Sequence, residues 1–414
     1  MNLLLHSQFT IHNLQLKLTG SKSETNRLLL LQALYPQIII ENASNSDDSE
    51  VMIKALHSPF TIHHSQLINV HHAGTAMRFL TAYFAIIPDC DVILTGSSRM
   101  QERPIKILVD ALNQLGAEIT YEESGGFPPL KIKGKKITKS KVSLPANVSS
   151  QYISALLLIA PKLEKGLELT LEGEITSIPY INMTLGLLNE IGVETSFIEN
   201  RIIVKPQFTI YNSQFIIESD WSSASYWYSI IALSEINTQI TLSSYKKESL
   251  QGDSVLVSIY ENFGVTTLFN TDNSITISKT QNPKLETINL HLNNAPDIAQ
   301  TIAVTCLGLG IACNLSGLHT LKIKETDRLE ALKNELTKLG AEISVTNDSL
   351  QLAETQIINP NVSIATYNDH RMAMAFAPLA LKTSIIIENS EVVSKSYPTF
   401  WDDLKEIGFK INQI

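Results

Sequence analysis

LEALKNELTKLGAEI, residues 329–343, decides the fold class: leucines recur at helical spacing, a glycine follows, and the chain then alternates like a strand. Glycine there supplies the left-handed residue that stops a helix, so the next strand turns back against the helix's apolar face. Four further stretches keep the same order: LVDALNQLGAEI (108–119), TLGLLNEIGVET (184–195), VLVSIYENFGVT (255–266) and FWDDLKEIGFKI (400–411). Their glycines, Gly116, Gly192, Gly264, Gly340 and Gly408, lie 76, 72, 76 and 68 residues apart. A related glycine-free unit, VMIKALHSPFTIH (51–63), precedes them and brings the copies to six. Such a period is longer than a solenoid repeat and has room for a multi-strand, two-helix unit. A chain of 414 residues exceeds one ordinary core, so two lobes of three units each are expected. No Pro/Gly/Ser-rich linker separates them, and a crossing is placed near residues 218–220, between the third and fourth units.

With 44% hydrophobic and 18% charged residues, the chain buries substantial cores and has no disorder-like composition. The formal net charge of -9 argues against a nucleic-acid or membrane-surface binder. It leaves room for local positive pockets, because salt screens exposed charges beyond about 8 Å. Cys90, Cys306 and Cys313 have neither metal-ligand nor redox spacing, so buried, reduced thiols are expected, and a reducing cytoplasm fits them. The N-terminal stretch lacks a signal-peptide pattern and alternates like a strand, and no run reaches 18 apolar residues, so no membrane span is expected.

Chemistry-bearing residues gather where helices begin. Gly20 to Arg27, GSKSETNR, is a glycine turn entering a leucine-rich helix, where backbone N–H groups, hydroxyls, Lys22 and Arg27 form an anion site or a capped helix with two solvated cations. HHAGTAMR (71–78) is a second small-residue turn before an apolar helix, and Gly74 permits close backbone approach to a ligand. These histidines, with His63 and His64, do not complete a metal set, since adjacent side chains diverge and no carboxylate or cysteine joins them. The Arg99 to Pro104 loop offers bidentate arginine capture or a plain Arg/Glu surface pair, and Asn147 to Tyr152 offers hydroxyls and an amide at a helix start or an ordinary cap. In the second half the candidates are Asn294 to Asp297, Lys324 to Arg328, Tyr367 to Met372 and Lys395 to Pro398. Asp297 is a general base or a helix-start carboxylate. Lys324, Glu325 and Arg328 fall within one turn and admit a surface salt-bridge cluster as the bland alternative, and the same holds for Asp369 and Arg371.

In order and content, GSKSETNR, AGTAMR, RMQERPIKILVDAL, VSSQYISALL, SIPYINMTL, DWSSASYW, NNAPDIAQTIAV, KETDRL, YNDHRMAMAFAPLAL and SKSYPTFW resemble the successive motifs of the 5-enolpyruvylshikimate-3-phosphate synthases. The resemblance runs from Gly20 to Trp401. It implies an α/β (α+β) fold, a two-lobed inside-out α/β barrel in which each lobe has three βαβαββ repeats around a pseudo-threefold axis. It also implies a second crossing near residues 18–20, giving one lobe of residues 19–219 and another of residues 1–18 plus 220–414.

The implied reaction moves the enolpyruvyl group of phosphoenolpyruvate to the 5-hydroxyl of shikimate 3-phosphate and releases phosphate, on the way to chorismate and the aromatic amino acids, with neither metal nor organic cofactor. Matched motif by motif, shikimate 3-phosphate falls to Ser23, Arg27, Ser149, Ser150, Gln151, Ser177 and Lys324, with Asp297 at the reacting hydroxyl. Phosphoenolpyruvate falls to Lys22, Gly74, Arg103, Gln151, Arg328, Arg371 and Lys395. Asp297 is the expected base, and Glu325 and Lys22 are the candidates for proton delivery. A monomer acting on small molecules, without nucleic-acid or membrane partners, is the expectation.

Departures touch uncharged positions. Thr19 stands where proline is usual, His72 where asparagine precedes AGTAMR, Phe79 where proline is common, and Thr320 where asparagine often meets the shikimate ring. Two readings compete. UDP-N-acetylglucosamine enolpyruvyl transferases share fold and donor, but their Lys-Asn first loop and the reactive cysteine in the loop here reading Arg99 to Pro104 are both absent. A catalytically silent homologue is the other, and retention of every expected cation and both carboxylates weighs against it.

Overall fold

The structure, a computed structural model, describes residues 1–6, 14–57, 65–146, 149–210, 214–283 and 286–414. His63, His64, Asn147 and Val148, and the end of the glycine-free unit, lie outside the described residues. The chain divides into two compact units, Met1–Gly20 with Glu218–Ile414, and Ser21–Ile217.

All five repeat glycines stand at positive φ: 109° at Gly116, 93° at Gly192, 76° at Gly264, 97° at Gly340 and 104° at Gly408. Each ends a helix and starts a strand, as in Lys106–Leu115 followed by Glu118–Tyr121, or Arg328–Lys338 followed by Ile343–Val345. The need for a left-handed residue is sharpest at Gly264, where an added Cβ would meet the Gln281 carbonyl oxygen at 2.0 Å.

One strand order recurs. Gln66–Asn69 runs parallel to Asp91–Thr95, which pairs antiparallel with Leu130–Lys133, and that strand pairs antiparallel with Glu118–Tyr121. The helix Gly74–Ile86 joins the parallel pair, and Lys106–Leu115 precedes the hairpin, so the unit reads βαβαββ. Four more four-stranded sheets keep this order, one in the same compact unit and three in the other. The described part of a sixth is the parallel pair Ile39–Glu41 and Gln214–Ile216. The N-terminal strand Leu3–His6 completes the sheet of the last repeat, lying antiparallel between Ile385–Ile387 and Lys410–Gln413. Strands such as Lys141–Pro145 alternate buried and exposed positions, so each of these sheets covers a core with one face and meets solvent with the other.

The helices that lead into one strand of each parallel pair are apolar on nearly every side. In Trp221–Leu233 every residue but Ser222 is buried, and Ala299–Leu309 and His370–Phe376 are nearly as enclosed. A helix apolar all round belongs inside a core. These three pack on one another in one unit, and Lys22–Leu34, Gly74–Ile86 and Ser150–Ile159 do so in the other. Within each unit this brings the starts of three helices together, where polar residues interrupt the apolar sequence. Among the described residues no helix is long and apolar enough to cross a membrane. All three cysteines are buried and unbridged.

Candidate active site

In the unit holding both termini, the three buried helices are tied together at their starts by charge. Asp220 caps Trp221–Leu233 by accepting from the Ser223 N–H, and Asp369 caps His370–Phe376 by accepting from the Arg371 N–H. Asp297 lies on the 3-10 turn Pro296–Ile298 that leads into Ala299–Leu309. Carboxylates there sit at the positive ends of helix dipoles.

Arg328 is the hub, its side chain 2% exposed. It donates through Nε to Asp369 Oδ2 at 2.6 Å, through Nη1 to Asp297 Oδ1 at 2.8 Å and through Nη2 to Glu325 Oε2 at 2.8 Å. Burial opposes the guanidinium charge, but Asp369, Glu325 and Asp297 outweigh it and raise the pKa above its ordinary value. The surface salt-bridge alternative for Lys324, Glu325 and Arg328 is therefore corrected for Arg328, which is an interior cation in a cage of carboxylates. Lys324 Nζ lies 3.4 Å from Asp297 Oδ1, and Arg371 Nη2 lies 3.3 Å from Asp297 Oδ2. These two contacts are looser than the Arg328 bonds. Lys395 Nζ donates to the Asn368 carbonyl at 2.6 Å. Tyr367 and Asn368, just before Asp369, both stand at positive φ (53° and 54°), a strained turn held by its surroundings beside the charges.

The other unit gathers the first-half motifs. Ser21 caps Lys22–Leu34, and Lys22 Nζ lies 3.4 Å from Asp48 Oδ2, with His72 Nε2 3.9 Å from the other oxygen of that carboxylate. Gly74 opens its helix beside Arg103: an added Cβ would lie 2.7 Å from Arg103 Nη1. Gln151 Nε2 donates to Thr75 Oγ1 at 3.1 Å, joining two helix starts, and Ser149 caps Ser150–Ile159. Ser177 is a buried non-glycine residue at φ 55° before Ile178–Glu190. Arg27 points inward: it donates to Thr184 Oγ1, Ser23 O, Ser154 Oγ and Tyr180 O, and its guanidinium lies 5.5 Å from the Phe79 ring centroid and 5.9 Å from that of Tyr180. Burial pulls its pKa down to about 10, against the opposing pull of Tyr180 and Glu24, so it stays charged near neutrality. Arg99 makes an exposed pair with Glu102, the bland alternative for that residue.

Known proteins match the chain along nearly its whole length. The model of the family described as EPSP synthase (3-phosphoshikimate 1-carboxyvinyltransferase) matches residues 59–404. A 3-phosphoshikimate 1-carboxyvinyltransferase of Bacteroides fragilis (strain YCH46) is 46% identical over 401 residues, covering 96% of this chain and 95% of the relative. The chain belongs to the EPSP synthase family. A relative of the same name from Haemophilus influenzae (strain ATCC 51907 / DSM 11121 / KW20 / Rd) is 35% identical over 426 residues, covering 95% and 96% of the two chains. An EPSP synthase structure from Acinetobacter baumannii superposes with a TM-score of 0.79 at 19% identity, covering both chains fully, which shows the mixed α/β fold.

Beside the residues expected for an EPSP synthase, the structure brings in others that spacing did not single out. Asp48 follows Ser46 and Asp47 at a helix start that carries none of the quoted motifs, yet it faces Lys22 and His72. Asp253 stands two residues ahead of the repeat stretch 255–266, at a helix start like the other candidates, and the partner that gives it a role, Ser222, lies 31 residues away. Asp369 lies within the candidate stretch Tyr367 to Met372, where a surface pair with Arg371 is the bland alternative, and the structure buries it fully against Arg328.

Proposed function

We propose that this protein transfers the enolpyruvyl group of phosphoenolpyruvate to the 5-hydroxyl of shikimate 3-phosphate, giving 5-enolpyruvylshikimate 3-phosphate and inorganic phosphate. Support comes from the family together with one observation: Asp297 lies among Arg328, Lys324 and Arg371 at the joined starts of three buried helices. The cations fix the position of that carboxylate as a hydrogen-bond acceptor, which is the geometric requirement for a base that takes a hydroxyl proton. The hydroxyl oxygen then bonds to C2 of phosphoenolpyruvate while C3 gains a proton from Glu325 or Lys22. Loss of a C3 proton and cleavage of the C2–O bond to phosphate restore the double bond and release the phosphate.

Phosphoenolpyruvate is assigned to Lys22, Gly74, Arg103, Gln151, Arg328, Arg371 and Lys395, where planar guanidinium groups grip carboxylate and phosphate and lysines add point charge. Shikimate 3-phosphate is assigned to Ser23, Arg27, Ser149, Ser150, Gln151, Ser177 and Lys324. The recurring βαβαββ order and the division into two compact units support the two-lobed, inside-out arrangement expected from the motifs. The test follows phosphate release with phosphoenolpyruvate and either shikimate 3-phosphate or UDP-N-acetylglucosamine. Release with shikimate 3-phosphate alone is expected, and its absence would sink the assignment. Lys22→Met, Asp297→Ala and Glu325→Ala should each lower kcat by at least about 100-fold. Near-normal turnover in Asp297→Ala would remove it from the mechanism.

A further inference from the structure

Asp253 stands one residue behind the cations. It lies on the 3-10 turn Gly252–Val255 and is 4% exposed. Its Oδ2 accepts a short hydrogen bond from Ser222 Oγ, and Ser222 Oγ accepts from Arg371 Nη2 at 3.2 Å. Arg371 also donates through Nη1 to the Asp297 carbonyl at 3.3 Å. A guanidinium can only donate, so the Ser222 oxygen must face Arg371 and its hydrogen must go elsewhere. Asp253 supplies the acceptor that fixes this rotor. The charged groups acting on Asp253 are Asp297 and Asp220, of its own sign, and Arg371. Burial, then Asp297, push its carboxyl up to about 6, while Arg371 and the Ser222 hydroxyl pull the other way. Near neutral pH it is therefore the ionised acceptor the chain of bonds requires.

We infer that Asp253 is a positioning residue that acts through Ser222 to aim Arg371 at its anionic ligand. The inference rests on the reading of Arg371 as a phosphoenolpyruvate ligand. Arg371 is held by Asp297, through its carbonyl and through Oδ2 at 3.3 Å, and by Ser222, so freeing the hydroxyl rotor removes one of its fixed acceptors, and misaimed cations weaken binding before they slow chemistry.

Asp253→Asn should raise KM for phosphoenolpyruvate about 10-fold while kcat and the KM for shikimate 3-phosphate change less than about 3-fold. Ser222→Ala, which deletes only a hydroxyl, should do the same, and Ser222→Thr should restore most of the loss. Because both residues act along one chain of bonds, the double variant Asp253→Asn with Ser222→Ala should be no worse than the poorer single one. A KM for phosphoenolpyruvate unchanged in Ser222→Ala overturns the inference, as do single effects that multiply in the double variant. Arg371→Lys separates the two readings. If it raises that KM while Asp253→Asn and Ser222→Ala do not, only the positioning role falls. If it leaves that KM unchanged, the assignment of Arg371 falls and takes the positioning role with it.

Discussion

Gly74→Ala tests the phosphoenolpyruvate site by one methyl group. Gly74 is the first residue of the helix Gly74–Ile86, where alanine is tolerated or preferred by up to about 1 kcal/mol. The space in front of it is filled by Arg103, with the new Cβ 2.7 Å from Nη1, 3.1 Å from Nη2 and 3.2 Å from Cζ. Carbon needs about 3.5 Å, so the guanidinium must retreat by about 0.8 Å. Displacing a positioned group on the order of 1 Å costs up to about 100-fold, and Arg103 is one of several cations assigned to this ligand, so KM for phosphoenolpyruvate should rise about 10- to 100-fold. KM for shikimate 3-phosphate should stay within about twofold, and the thermal midpoint should hold or rise. Steady-state phosphate release with each substrate varied in turn, beside a thermal melt, reads all three. A KM for phosphoenolpyruvate within about twofold of the parent would refute the placement of Arg103 at that ligand.

Two further outcomes concern stability. Gly264→Ala should cost about 3 kcal/mol or more in urea unfolding, because its Cβ meets a backbone oxygen that no rotamer change can move. Gly116→Ala, with no atom within 4 Å of the added methyl, should cost only the left-handed strain of about 1 to 2 kcal/mol. Equal losses would show that crowding at Gln281 does not matter. Lys279 is buried and donates to the Ala232 and Phe263 carbonyls, and burial, then the charge of Lys382, pull its pKa down from 10.5 to about 8. Between those two values the unfolded chain holds a proton that the folded chain has released, so the contribution of Lys279 to stability rises with pH across that window. Unfolding measured from pH 7.5 to 10 should show this slope in the parent and lose it in Lys279→Met, and an unchanged slope would reassign it to another group.

Much of this molecule is legible along the chain because its signals are local. The five glycines could be counted because each ends a helix within a dozen residues of the leucines that define it, and positive φ is a demand that only the local backbone makes. The candidate ligands were visible for a similar reason: Lys22, Gly74, Ser149, Asp297 and Arg371 all lie where apolar helices begin, and polar residues stand out there. Spacing alone left the balance between a surface pair and an interior cage open. Glu325 and Arg328 are three apart whether exposed or not, and Arg328 becomes an interior cation only when Asp297, from the first helix start of the same repeat, and Asp369, from the next repeat, arrive beside it.

The sequence by itself determined the repeat, the helix starts and the family, since each rests on neighbours in the chain or on motifs in order. The tertiary structure alone decided who pairs with whom. Asp48 with Lys22 and Asp253 with Ser222 are separated by 26 and 31 residues, and no periodicity links them, while Thr75 and Gln151 lie one 76-residue period apart and meet only because their helices pack side by side. Three buried helices packed together bring their starts within hydrogen-bond reach, and burial then forces each charge to find a partner. That requirement is a property of the packed core, which is why the network around Asp297 could not be read before the core was formed.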